Sequence, residues 1–331
     1  MSFRLERSVP GEFYESDEAE ASAGIRSLIR FRRVTLQPLQ QWIPAQQLPP
    51  HPKRYRLRVW REVSANLASL RDELIAYAQE ALDDARFKIR RGLVDPLSPF
   101  AGDEDPAANY PAILHRVTLQ GYLGETLAGL AVEHFGAFGK HDWHIPAFLF
   151  RMHNTEFQHL DLINEHLLAG GEHESDAESE KRPGRTGDDA IAFRIDDTGR
   201  ITHVLTLEAK CLARNNTGTI RKAHEKLSVD QQRPSGVREL INLLSDYDTP
   251  DAEAWQARLL TFWKEGFRTA ERNDGLAYAV GHWPIKDETQ VSWLPADKPH
   301  EAYTGKRLLE AMEFQLEDLE GLVDALYRSQ S

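Results

Sequence analysis

The segment GDDAIAFRIDDTGRITHVLTLEAKC, residues 187–211, constrains this chain more than any other stretch. Asp196, Asp197 and Gly199 supply tight-turn chemistry between two β-rich runs, Ala190–Ile195 and His203–Ala209, so the pattern predicts a β-hairpin. Side chains alternate along a strand. Thr206, Glu208 and Lys210 therefore share one face, and Leu205, Leu207 and Ala209 the other. Asp189 shares a face with Ile191 and Phe193 at the mouth of the hairpin. An acid from each of two neighbouring strands then projects beside an ammonium.

That combination suits phosphodiester hydrolysis. Mg²⁺ takes carboxylate oxygens and keeps several waters. A bound divalent cation lowers the pKa of a water and neutralises charge on phosphate. A lysine beside it orients the nucleophile or stabilises the transition state. Asp189, Glu208 and Lys210 are the candidate catalytic residues, with Mg²⁺ or Mn²⁺ as cofactor. Asp188 is the alternative metal ligand to Asp189.

Elsewhere the chain mixes helical and strand signals. RYRLRVW, residues 54–60, predicts a strand with Tyr55, Leu57 and Val59 on one face. Leu67, Leu70, Leu74, Ile75, Ala78 and Leu82 recur at helical spacing, predicting one long helix over 64–91. A second helix is expected over 110–135, with Leu119, Leu123, Leu127, Leu130 and Ala131 as its buried stripe. Residues 145–152 and 276–285 read as strands. Residues 219–227, 234–245, 252–270 and 305–327 read as helices. Residues 93–112 form a linker and 169–187 a charged loop. The expected class is α/β: a mixed central sheet flanked by helices, with helical N- and C-terminal additions.

The arrangement resembles the PD-(D/E)xK, or restriction-endonuclease-like, nuclease superfamily over roughly residues 115–230. Asp188-Asp189 stands where that family usually has Pro-Asp. The resemblance implies a further acid on a preceding helix. Glu125 in GYLGETLAGLAVEHF fits, with Glu133 as the competing choice, so the implied metal ligands are Glu125, Asp189 and Glu208. Within the superfamily, GETLAGLAVEHF, DAIAF and LEAK together are similar to the nuclease subunit of Hachiman-type antiphage systems. That similarity implies bacterial antiviral defence, DNA cleavage and an ATP-dependent helicase partner. No Walker A loop precedes Thr304-Gly305-Lys306, so an ATP-driven step has to come from that partner. The expected division is a flexible acidic lead-in (1–24), a basic segment with the long helix (25–110) and a nuclease domain with C-terminal helices (111–331). The alternative is a catalytically silent nucleic-acid-binding or scaffolding subunit on the same fold.

Charge distribution bears on the partner. The net charge of −12 argues against a protein that coats nucleic acid all over. Yet the window from Arg26 to Arg61 holds nine Lys/Arg and no acid. Arg54, Arg56 and Arg58 within it, and Arg221 and Lys222 further on, are candidate phosphate contacts. The acidic stretch Glu172–Glu180 is a candidate competitor for phosphate near Asp189. No apolar run approaches the ~20 residues of a membrane span. The first residues lack a secretory stretch, so a cytoplasmic protein is expected. The single Cys211 excludes an internal disulfide framework and reads as a buried thiol, and His141 and His144 read as ordinary histidines rather than zinc ligands.

Overall fold

The hairpin forms as its turn chemistry dictates. In this computed structural model, which describes residues 34–46, 48, 54–93, 105–148, 154–177, 189–229, 234, 236–284 and 290–328, β2 spans Ala190–Ile195 and β3 spans Ile201–Leu212. The Asp196 carboxylate accepts from the Thr198 and Arg200 amides, each at 3.0 Å, and Gly199 takes φ +80° where a side chain would be strained. β3 runs on past the expected end at Ala209. From Val204 to Ala209 it is buried on both faces, beside a parallel neighbour.

That neighbour is β4 (Glu271–Val280), which pairs in parallel with β5 (Leu309–Gln315). β5 in turn pairs in parallel with β1 (Tyr55–Arg61). The sheet is mixed and five-stranded, in the order β1-β5-β4-β3-β2, with only β2 antiparallel to its partner. Helices flank it: α1 (Leu36–Trp42), α2 (Arg71–Leu93), α3 (Arg116–Phe135), α4 (Asn154–Leu168), α5 (Thr217–Leu227), α6 (Gly236–Leu244), α7 (Pro250–Lys264) and α8 (Leu319–Tyr327). Asn216, Thr249 and Asp318 cap α5, α7 and α8 through side-chain oxygens.

Alternation sorts the core. Leu205, Leu207, Ala209, Cys211, Met312 and Phe314 pack with α2, α3 and α8 on one face of the sheet. The other face carries two separate apolar clusters. Ile191, Phe193 and Val204 pack with α6 and α7, whereas Leu57, Leu276 and Tyr278 pack with α5. Among the described residues no helix is long and apolar enough to cross a membrane.

Several expectations change. Residues 305–327 are not one helix. The first part is β5, a central strand buried along its whole length, and only Leu319 onward is helical. Its Leu, Glu, Ala and Met favour helix, but burial between two parallel partners overrides that preference. Residues 145–148 form no regular strand: only His144 bridges to Phe193, and 149–153 lie outside the described residues. Ser64–Ser69 is a 3-10 turn before α2, and α3 begins at Arg116 rather than near Tyr110. Helix α4 was not anticipated. β1 belongs to the common sheet, so residues before 111 do not stand apart, and the sequence beyond the hairpin adds strands as well as helices. The lead-in 1–24, the basic residues Arg26, Arg30, Arg32, Arg33 and Lys53, the linker from 94 to 104, the loop from 178 to 187 and Asp188 lie outside the described residues.

Candidate active site

Two apolar clusters on one sheet face leave a seam between α5 and the α6–α7 pair, and the polar residues of β3 emerge there. The register pairs Ala190 with Leu207, which sets Asp189 opposite Glu208 on the same face. The Asp189 amide extends the ladder by donating to the Leu207 carbonyl at 3.0 Å. Its carboxylate is fixed by the Ala209 amide, which donates to Oδ2 at 2.7 Å.

Glu208 is 2 % exposed, so its charge needs partners. Lys210 Nζ donates to Glu208 Oε1 at 2.5 Å and to the Ala209 carbonyl at 3.0 Å, and lies 3.9 Å from Asp189 Oδ2. A second ammonium enters from the opposite helix. Lys226 on α5 pairs with Glu208 Oε2 and stands 3.6 Å from Asp189 Oδ1. Two carboxylates thus face two lysines, each lysine touching both acids.

Burial, then the neighbouring Asp189 charge, push the Glu208 carboxyl up to about 7 against the pull of Lys210 and Lys226. Burial alone would lower the Lys210 amine, but Glu208, Asp189 and the more distant Glu125 outweigh it and hold it above its ordinary value. The Asp189 charge, which adds to burial in making Glu208 hard to ionise, also helps to keep Lys210 charged.

Glu125 lies buried on α3, on the other side of the sheet. Gly124 lets that helix sit close: a Cβ there would stand 3.1 Å from Cys211 Cβ. Glu125 bears electrostatically on Lys210. Among the described residues, however, no three His, Cys, Asp or Glu side chains are grouped so as to hold a metal ion. The structure therefore brings Asp189, Glu208 and Lys210 together, with Glu125 acting electrostatically on Lys210. Glu133, the competing acid, accepts from the Tyr77 hydroxyl at 2.5 Å.

No known family matches this chain, and no curated protein is similar to it.

The candidate phosphate contacts divide. Arg58 is nearly buried. It sits 2.5 Å from Glu310 and donates to the Phe135 and Gly136 carbonyls at the C-terminus of α3, at 3.1 and 2.7 Å. Arg56 lies 3.9 Å from the same Glu310, and Arg54 donates to the Lys306 carbonyl. Arg58 is engaged inside the fold, since a buried Glu310 needs a cation, whereas Arg54 is exposed and the Arg56 side chain is 38 % exposed. Arg221 and Lys222 are exposed on α5, with Arg221 paired to Glu225 at 2.8 Å. Lys222 stands one turn from Lys226 on the same helix face. The described end of the acidic loop lies elsewhere, with Asp176 held by Arg328 and Arg116.

Lys226 is the site residue that the hairpin motif did not reveal. Its reach to Glu208 depends on α5 folding back over the strand. A further buried acid, Asp274, shares this face. It accepts from Thr206 Oγ1 and Arg307 at 3.2 Å each and from the Tyr303 hydroxyl at 2.8 Å. Burial raises its carboxyl above the ordinary value, and its full set of partners makes it a support for β3 and β4.

Proposed function

We propose that this chain is a divalent-cation-dependent nuclease that hydrolyses DNA phosphodiester bonds with Asp189, Glu208 and Lys210. The supporting observation is the convergence of Asp189 and Glu208, from paired strands, on the same ammonium groups. A site where two carboxylates share one cation is chemically fit for Mg²⁺ or Mn²⁺, whose preferred donors are carboxylate oxygens. Asp189 and Glu208 would hold the ion, which when bound supplies an activated water and neutralises phosphate charge. Asp189 is oriented by the Ala209 amide. Lys210, tied to Ala209 and Glu208, presents its ammonium to the phosphate oxygens and their developing charge. Glu125 is placed to strengthen the charge on Lys210.

The test is plasmid nicking by the purified chain with Mg²⁺, with EDTA and with Asp189→Asn or Glu208→Gln. Loss of nicking in the variants and in EDTA is expected. Cleavage that survives Glu208→Gln would sink the assignment. A second reading is a silent nucleic-acid-binding subunit. It is favoured by the two lysines that already neutralise the acids. DNA binding without cation-dependent cleavage would decide for it.

The same proposal takes the chain as the effector of a bacterial antiphage system restrained by an ATP-dependent helicase. Its support is the sequence resemblance and the lack of a nucleotide-binding loop in this chain. Co-purification with a helicase, and nicking with and without it, test that part.

A further inference from the structure

We propose that Lys226 is a resident counter-cation, which neutralises Asp189 and Glu208 in the metal-free protein and competes with a divalent ion for them. The inference rests on the reading of these acids as a cation site and adds a control element to it.

Charge balance carries the argument. Asp189 and Glu208 bring two negative charges to the seam, and Lys210 and Lys226 bring two positive ones. With Glu208 ionised, these four side chains sum to zero. A divalent ion added to them leaves two positive charges in excess in a place where Glu208 is 2 % exposed, so an ammonium has to withdraw.

The lysines are not equivalent. Lys210 belongs to the same strand as Glu208 and has, besides the acids, the Ala209 carbonyl as a partner at 3.0 Å. Lys226 arrives from another element on a flexible four-carbon stem. The two side chains are about equally exposed, at 34 % for Lys226 and 30 % for Lys210, but among the described residues the ionic partners of Lys226 are these two acids alone. Lys226 is therefore the ammonium that can leave. One turn away on the same helix face is the exposed Lys222. A withdrawn Lys226 would join it in a short basic row, suited to the backbone of an incoming nucleic acid. Cation entry and phosphate capture are thereby coupled through one side chain.

The experiment measures Mn²⁺ binding to the full chain by calorimetry, and thermal unfolding with and without Mn²⁺. It compares wild type, Lys226→Gln and Glu208→Gln. Loss of the competitor should tighten Mn²⁺ binding in Lys226→Gln by about tenfold or more. The same variant should melt lower than wild type in EDTA and recover with saturating Mn²⁺. Unchanged or weaker Mn²⁺ binding in folded Lys226→Gln overturns the proposal. Where that variant fails to fold, Lys226→Arg decides. A cation with a stronger hold on carboxylates should weaken Mn²⁺ binding several-fold, and equal or tighter binding overturns the idea. Glu208→Gln separates the two levels. If it keeps wild-type Mn²⁺ affinity, the site assignment itself falls. If it loses binding while Lys226→Gln is unchanged, only the role of Lys226 falls.

Discussion

Arg58 on β1 and Glu310 on β5 meet at 2.5 Å, with Glu310 fully buried and Arg58 only 13 % exposed. Neither is easily removed alone. Burial pulls the Arg58 guanidinium down to about 10, and the Glu310 charge resists that pull. Glu310→Ala should cost about 3–5 kcal/mol, the usual penalty for stranding one member of a buried pair. Urea unfolding at neutral pH measures it, and a loss below about 1 kcal/mol would show that the pair is dispensable. The same geometry makes Arg58 a poor candidate for DNA contact. Arg58→Gln should reduce stability without changing the salt dependence of DNA binding, whereas Lys222→Gln should lower the salt slope while leaving stability alone.

Lys210→Ala should reduce cleavage by about 10²–10³-fold, the scale seen when one donor to a developing oxyanion is removed. Lys226 still pairs with Glu208 in that variant, so the fold should survive. Circular dichroism and a nicking assay on one preparation decide this. Retained cleavage would count against the mechanism.

Glu208 has a carboxyl raised to about 7 by burial and by Asp189, so protons compete with cations there at ordinary pH. Mn²⁺ affinity should fall as pH drops through about 7. Folding responds in the opposite sense. The folded protein holds this proton more tightly than the unfolded chain does. The resulting stabilisation is fully present below the unfolded value and lost as pH rises to about 7. A Mn²⁺ affinity that stays flat between about pH 5.5 and 8.5 would contradict the assignment of Glu208.

Gly124 and Gly121 lie on the same helix and make opposite predictions. Gly124→Val would drive its branches into Cys211 and push α3 off β3, at about 1–3 kcal/mol. A Cβ on Gly121 meets nothing within 4 Å, so Gly121→Ala should stabilise by about 0.5–1 kcal/mol through helix propensity. Thermal melts of the two variants test the packing directly. Equal effects would show that α3 does not approach β3 as closely as described.

What could be read from the residues was local. The β2–β3 hairpin was legible because Asp196 and Gly199 dictate its turn, and alternation then fixes the face of Glu208 and Lys210. β5 was not. LEAMEFQ has helix-favouring composition and no period-2 pattern, since it is buried on both faces. Its acids tolerate that place through partners distant in sequence. Glu310 meets Arg58, and Glu313 accepts from Ser292 and from the Trp293 and Leu294 amides. Lys226 posed the same difficulty, because no spacing rule says which helix will return over which strand.

The order of the sheet also bears on biosynthesis. β1 finds its ladder partner only in β5, with Tyr55 beside Leu309. A ribosome-bound chain that has emerged through β4 already displays the hairpin acids, yet its sheet lacks the strand that joins β1 to β4. Pairing across so long a separation is slow and leaves edges open until late. Emergence of β5, more than emergence of the hairpin, therefore sets the earliest moment at which the sheet that carries these acids is complete.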